Sequence, residues 1–181
     1  MEERVRELEV PLTVLGRLRR LFMGKRKPGI ITRVFFWSAF ALSWAYFVIW
    51  YIISYVSLIS IHGLLDPKPE ARVRAYFTEL GQQYEINDAF NTYKLFCLIQ
   101  LLILVVILFG LFFTYRRWKI GPVLFILGNA ATILTTIFML SWSFYMDEIT
   151  MIDKVIQGLS IVGGIIILLF HNQRRNRLKP E

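Results

Sequence analysis

The stretch Val34–Leu65, VFFWSAFALSWAYFVIWYIISYVSLISIHGLL, decides the fold because it contains no Asp, Glu, Lys or Arg. Three similar stretches follow it, at Leu95–Tyr115, Ile120–Met146 and Val155–Asn172. A helix needs about 20 apolar residues to cross the hydrocarbon of a bilayer, where its backbone groups must bond within the helix itself. The sequence therefore predicts an all-α integral membrane protein, a bundle of four transmembrane helices.

The charged residues divide this chain into segments of opposite sign. Basic residues dominate residues 1–33, the short link after Tyr115 and the tail at 173–181, whereas acidic residues dominate the other two links; the net charge is +8. An excess of Lys and Arg marks the cytoplasmic side of membrane proteins. We therefore expect both termini in the cytoplasm and the protein in the plasma (cell inner) membrane. The transmembrane domain is predicted at 34–172, with spans at about 34–60, 95–115, 120–146 and 152–171 and an outer loop at 61–94.

The N-terminal segment has the pattern of a basic amphipathic helix that lies at the membrane surface. Leu15, Leu18 and Phe22 recur at helical spacing within residues 13–23, and the polar side is basic. We expect anionic lipids of the inner leaflet to bind the basic side chains, namely Arg17, Arg19, Arg20, Lys25, Arg26 and Lys27. A docking helix for a cytoplasmic protein is the alternative. Nucleic acid is not expected as a partner, because aromatic residues that stack on bases are missing here.

The outer loop contains a second amphipathic pattern. Val73, Tyr76, Phe77 and Leu80 follow the i, i+3, i+4, i+7 spacing of one helix face. The sequence therefore predicts a short helix across the outer mouth of the bundle. Its apolar face is expected to contact either a partner protein or the membrane surface.

A few polar residues lie inside the predicted spans, and their depths match in pairs. At 1.5 Å of rise per residue, Asn129 and Ser43 lie near mid-bilayer, and Gln100 and Ser160 lie closer to the outer side. We expect these side chains to face the bundle interior and to hydrogen-bond across helices. Thr132, like Thr135 and Thr136, can instead bond carbonyls of its own helix. Packing is one interpretation of the set; a narrow polar path or ligand pocket is the other.

Small residues indicate where helices approach closely. Gly128 on the third span, with Gly158, Gly163 and Gly164 on the fourth, provides the smooth faces that membrane helices use for contact. The fourth helix is therefore expected to pack against the third, or against the fourth helix of another copy.

The sequence carries no pattern typical of an enzyme, a metal site or a cofactor site. No Asp, Glu, Lys or Arg falls in a span core, which argues against a proton-coupled transporter and a voltage sensor. The two histidines, His62 and His171, lie at opposite ends of the spans and cannot share one haem. The layout, with its larger first outer loop, is similar to that of claudins and tetraspanins, but the cysteine motifs of both families are missing.

Three functions remain open at this stage. The first is a non-catalytic accessory or scaffold subunit of a membrane protein complex, with other membrane subunits as partners. The second is a homo-oligomeric channel or pore, in which polar residues line the path. A small-molecule transporter is the third.

Overall fold

A computed structural model describes residues 29–60 and 67–176. In this part of the chain every regular element is helical: α1 (Ile30–Ala39), a π-helical turn (Phe40–Ala45), α2 (Tyr46–Ser60), α3 (Pro67–Gln83), α4 (Ala89–Tyr115), α5 (Ile120–Leu140), α6 (Trp142–Asp147) and α7 (Met151–Asn176). The amphipathic helix predicted at 13–23, with its basic side chains, lies outside the described residues. Of the tail predicted at 173–181, residues 173–176 continue α7 and residues 177–181 also lie outside the described residues.

Four helices of the described part are long and apolar enough to cross a membrane, so the predicted all-α fold with four candidate spans is confirmed. They cover Ile30–Ser60, Ala89–Tyr115, Ile120–Leu140 and Met151–Asn172. The first two begin earlier than the apolar stretches do, because polar residues beyond the hydrocarbon can continue a helix.

The third span ends at Leu140, short of the predicted residue 146. Ser141 adopts φ 87° and ψ 159°, a backbone conformation that almost only glycine tolerates, and this interrupts the helix. The Ser141 hydroxyl then accepts a hydrogen bond from the Phe144 N–H at 3.2 Å and so caps the short helix α6.

The second and third spans form a tight antiparallel hairpin. The Trp118 N–H donates to the Phe113 carbonyl at 2.8 Å and the Arg117 N–H donates to the Thr114 carbonyl at 3.0 Å, which closes α4 with a Schellman motif. Arg117 takes the left-handed conformation, φ 61°, that glycine usually supplies there. The first span packs mainly on α4, and α7 packs on α5. We call the end near Ile30 and Tyr115 the termini end and the opposite one the loop end.

The helix α3 exists, but its apolar face is covered by the chain itself. The Phe77 ring contacts the rings of Phe90 and Tyr93 at centroid distances of 5.5 and 5.4 Å, and Phe77 and Leu80 are buried. The aromatic start of α4 thus occupies the face that was expected to contact a partner or the membrane. Val73 is half-buried, and only Tyr76 remains exposed, at 54%.

The first span extends well past the fourth at the loop end. Near the termini end, Phe35 lies against Gly163, and further along, the Tyr46 hydroxyl hydrogen-bonds the Asp153 carboxylate. Beyond that bond, α2 continues to Ser60, whereas α7 continues only to Met151. At 1.5 Å per residue, the first span therefore overhangs the fourth by about 18 Å.

Candidate functional site

A π-helical turn in the first span keeps one face of that helix directed at the bundle. The Tyr46 N–H donates to the Ala41 carbonyl, five residues back. The buried positions Ala39, Ser43, Phe47 and Tyr51 are spaced by four residues. In an α-helix, side chains four residues apart differ in direction by about 40° around the helix axis, so a row with this spacing gradually leaves one face. One extra residue in the π turn removes about 100° of this accumulated difference in direction. The turn therefore keeps Ser43 on the buried face.

Ser43 and Asn129 meet at the middle of the bundle. The Ser43 hydroxyl donates to Asn129 Oδ1 at 2.9 Å, and both side chains are almost fully buried. Asn129 Nδ2 donates to the Phe125 carbonyl of its own helix at 2.8 Å. The structure thus joins the pair that depth alone had placed together, and it joins the first span to the third.

The hydrogen bonds continue from Asn129 along α5 and then cross to α4. The Thr132 hydroxyl donates to the Asn129 carbonyl at 2.7 Å, and the Thr136 hydroxyl donates to the Thr132 carbonyl at 2.8 Å. Gln100 Nε2 donates to that Thr132 carbonyl at 3.0 Å and more weakly to Thr136 Oγ1 at 3.4 Å. These five buried residues, Ser43, Asn129, Thr132, Thr136 and Gln100, form what we call the central polar chain.

The other expected pair, Gln100 with Ser160, is not formed. The Ser160 hydroxyl donates to the Ile156 carbonyl of its own helix at 2.7 Å, while Gln100 is directed at α5. Two residues at equal depth meet only if their helices are adjacent and both are rotated correctly, and depth does not fix the rotation. Gln157, which the sequence analysis did not single out, bonds Tyr145: its Oε1 accepts from the phenol at 3.3 Å.

Aromatic layers close the central polar chain at both ends. Towards the termini end, the Phe35 and Phe125 rings meet at 5.4 Å, and the Phe36 and Tyr115 rings meet at 4.8 Å. Towards the loop end, the Tyr51 and Phe96 rings meet at 5.8 Å. The central polar chain therefore lies inside an apolar enclosure.

The glycines differ in how closely they contact another helix. A Cβ on Gly128 would lie 2.5 Å from the Ile107 side chain, one on Gly163 would lie 3.0 Å from Phe35, and one on Gly164 would lie 2.7 Å from Ile126. A Cβ on Gly158 would have no heavy atom of the described chain within 4 Å, so that glycine makes no packing contact here.

Gly110, which was not predicted as a packing residue, lies against the backbone of another helix rather than against a side chain. A Cβ there would lie 2.6 Å from the backbone nitrogen of Phe125. Leu, Phe and Ile surround Gly110 in the sequence, so no small-residue pattern marked it. This glycine lets the backbones of α4 and α5 touch.

Trp44, beside Ser43 in the π turn, ties the first span to α4. Its indole Nε1 donates to the Leu104 carbonyl at 3.0 Å, a bond between a side chain and the backbone of another span.

A polar contact fastens the outer loop to the link between the third and fourth spans. The Tyr84 hydroxyl donates to Glu148 Oε1 at 2.8 Å, and the Tyr84 ring packs on Phe144 at 5.4 Å. Burial of the phenol, together with the bond to the Glu148 carboxylate, raises the pKa of Tyr84 to about 12. At neutral pH the tyrosine is therefore a hydrogen-bond donor that holds the two segments together.

Within residues 29–60 and 67–176, no three His, Cys, Asp or Glu side chains lie close enough to hold a metal ion. A cleft of about 370 Å³ lies at the loop end between α3 and the start of α4, and Arg74, Thr78, Gln82, Asn87 and Asp88 are among the residues that line it. Arg74 is already paired there with Glu70 at 2.9 Å. Comparisons with protein-family models, curated proteins and solved structures find no match to this chain.

Proposed function

We propose that this protein is a non-catalytic accessory or scaffold subunit of a membrane protein complex. The supporting observation is an apolar ridge on the overhanging part of the first span. Along α2, five side chains recur at helical spacing on the face opposite Phe47 and Tyr51, and each is 43–59% exposed: Ile49, Ile52, Ile53, Val56 and Ile59. We call these five residues the outer ridge.

The position of the outer ridge favours a protein partner over lipid. The fourth span, from Met151 to about Phe170, matches the ~30 Å of bilayer hydrocarbon. A bilayer fitted to it leaves Ile53, Val56 and Ile59 above the hydrocarbon, at a level where apolar surface meets headgroups or water. Covering apolar surface stabilises an assembly by roughly 25 cal/mol per Å², so a partner helix or loop placed there gains free energy.

The central polar chain is consistent with a structural role. Hydrogen bonds link its five residues to one another, although Gln100 Oε1 has no partner, and aromatic rings close both ends, so a path through a single copy has no support from this arrangement. The chain instead fixes how the first, second and third spans fit together. A scaffold subunit needs such a fixed bundle to present its outer surfaces.

We also propose that both termini face the cytoplasm and that the protein resides in the plasma membrane, where anionic lipids bind its basic segments. Arg33, Arg116, Arg117 and Lys119 lie at the termini end. Most acidic side chains of the described part lie at the loop end, among them Glu79, Glu85, Asp88, Asp147 and Glu148. This is the charge asymmetry of a protein whose termini end faces inwards.

Purification from the native membrane in mild detergent tests the proposed function. We expect other membrane subunits to co-purify in fixed stoichiometry, and Ile53→Asn to release them. Ile152→Asn is the matched control, because Ile152 is also exposed at the loop end but lies on the short fourth span. A ring of identical subunits that conducts ions in liposomes would overturn the proposal in favour of a channel, and retention of the partners by Ile53→Asn would exclude the outer ridge.

A further inference from the structure

The central polar chain ends at an acceptor that no described group satisfies. Gln100 Oε1 is buried and has no hydrogen-bond partner in the described part of the chain, and the Gln100 side chain has no exposed surface. An unsatisfied buried acceptor is unusual and destabilising, because the oxygen has lost its bonds to water. We therefore expect Gln100 Oε1 to accept a hydrogen bond from a donor outside the described side chains.

The orientation of the Gln100 amide is fixed by its neighbours. The Thr132 carbonyl only accepts hydrogen bonds, and it already accepts one from the Thr136 hydroxyl. The group that faces it at 3.0 Å must therefore be the amide nitrogen of Gln100. Reversing the amide would place two oxygens against each other, so the unsatisfied atom is the oxygen.

We infer that Gln100 Oε1 and Thr136 Oγ1 together bind one internal water molecule. The contact from Gln100 Nε2 to Thr136 Oγ1 is long, 3.4 Å, and leaves that hydroxyl oxygen with acceptor capacity. A ligand for this pair must donate two hydrogen bonds and be small enough for a fully buried site between helices. Water meets both requirements, and buried waters commonly bond polar groups that lack protein partners.

Water-to-amide magnetisation transfer, measured by NMR on the full-length protein in deuterated detergent, tests this inference. We expect a cross peak between water and the Gln100 side-chain amide that reports a long-lived bound molecule. The Asn129 side-chain amide is the internal control, since it is equally buried and contacts a hydroxyl, that of Ser43, but has no unsatisfied oxygen. A peak at Gln100 without one at Asn129 supports the bound water.

Two results would overturn the inference: no peak at Gln100, or peaks of equal strength at both amides, which would reflect relay through hydroxyl groups. Radiolytic hydroxyl labelling in ¹⁸O water gives a second readout. Cys97, fully buried one turn before Gln100, should be labelled in the wild type and several-fold less in Gln100→Leu. Unchanged labelling of Cys97 would also contradict a water bound by Gln100.

Discussion

The hydrogen bond between Ser43 and Asn129 ties the first span to the third at one point. Because these polar atoms are enclosed by apolar side chains, breaking the bond leaves a buried group without a partner. In a double-mutant cycle with Ser43→Ala and Asn129→Leu, we expect a coupling free energy of about 0.5–2 kcal/mol, measured by unfolding in mixed micelles. Thr135→Val is the control in place of Ser43→Ala: Thr135 bonds only the Ala131 carbonyl of its own helix, so its effect should add to that of Asn129→Leu. Additivity of Ser43→Ala with Asn129→Leu would contradict the prediction.

Tyr84 makes the loop end sensitive to high pH. Its pKa is raised to about 12, so between about pH 10 and 12 the folded protein keeps a proton that the unfolded chain has released. Stability contributed by the protonated phenol is therefore complete below pH 10 and is lost as the pH rises through 12. The absorbance of phenolate, wild type minus Tyr84→Phe, should show a midpoint near 12. Glu148→Gln should lower that midpoint, and a midpoint near 10 in the wild type would exclude the buried, hydrogen-bonded phenol.

At the scale of elements, alanine substitutions of Gly110 and Gly158 distinguish the effect of helix packing from the effect of helix propensity. Gly110 lies against another helix, whereas a Cβ on Gly158 would meet no neighbour in the described chain. Gly110→Ala should destabilise the hairpin of α4 and α5, because the new methyl group would overlap the backbone of Phe125. Gly158→Ala should be neutral or stabilising by up to about 1 kcal/mol, since alanine favours a helix and nothing described lies nearby. Thermal unfolding in detergent measures both. Equal effects of the two substitutions would mean that α4 and α5 do not touch at Gly110.

Because of the π turn, we expect the first span to tolerate the deletion of one residue within that turn. Deleting Leu42, an exposed residue within the turn, should convert it to α-helix and leave Phe36 and Tyr51 on the buried face, with loss only of the bonds that Ser43 and Trp44 make from the turn. Deleting Ile49, which is similarly exposed, should be more harmful. The deletion lies in a regular helix, so the residues on one side of it must rotate about the helix axis, and buried side chains on that side then leave the core. Folded yield and melting temperature compare the two variants. A Leu42 deletion that unfolds the protein as fully as the Ile49 deletion would contradict this account.

The sequence was enough to predict the four spans, because apolar length alone decides them. It also placed Ser43 opposite Asn129, since rise per residue gives depth. The partner of Gln100 could not be predicted, because it depends on how α4 is rotated about its axis. The π turn could not be predicted either: the segment Phe40–Ala45 contains no Pro or Gly to mark an irregular helix. Close approach at Gly110 depends on the hairpin geometry that Arg117 closes.

At the scale of the whole molecule, we expect both chain ends on the same side of the membrane, because four candidate spans are an even number of crossings. Reporter enzymes fused to the two termini should both be active in the cytoplasm, and a reporter inserted at residues 84–88 should be active on the opposite side. The expectation follows from the basic residues at the termini end. Termini that report from opposite sides would remove the basis for the assigned orientation and for the outer ridge.

The unequal lengths of the spans also mean that different flanks of the protein require different thicknesses of hydrocarbon from the surrounding lipid. Two of the helices have 31 and 27 residues and the other two have 21 and 22, so the protein is taller on one flank than on the other. In a bilayer fitted to the short flank, acyl chains would have to stretch to cover the apolar side chains of the tall flank, at a fraction of a kcal/mol per Å of mismatch. A tall neighbouring protein that covers this flank would remove the need for stretching.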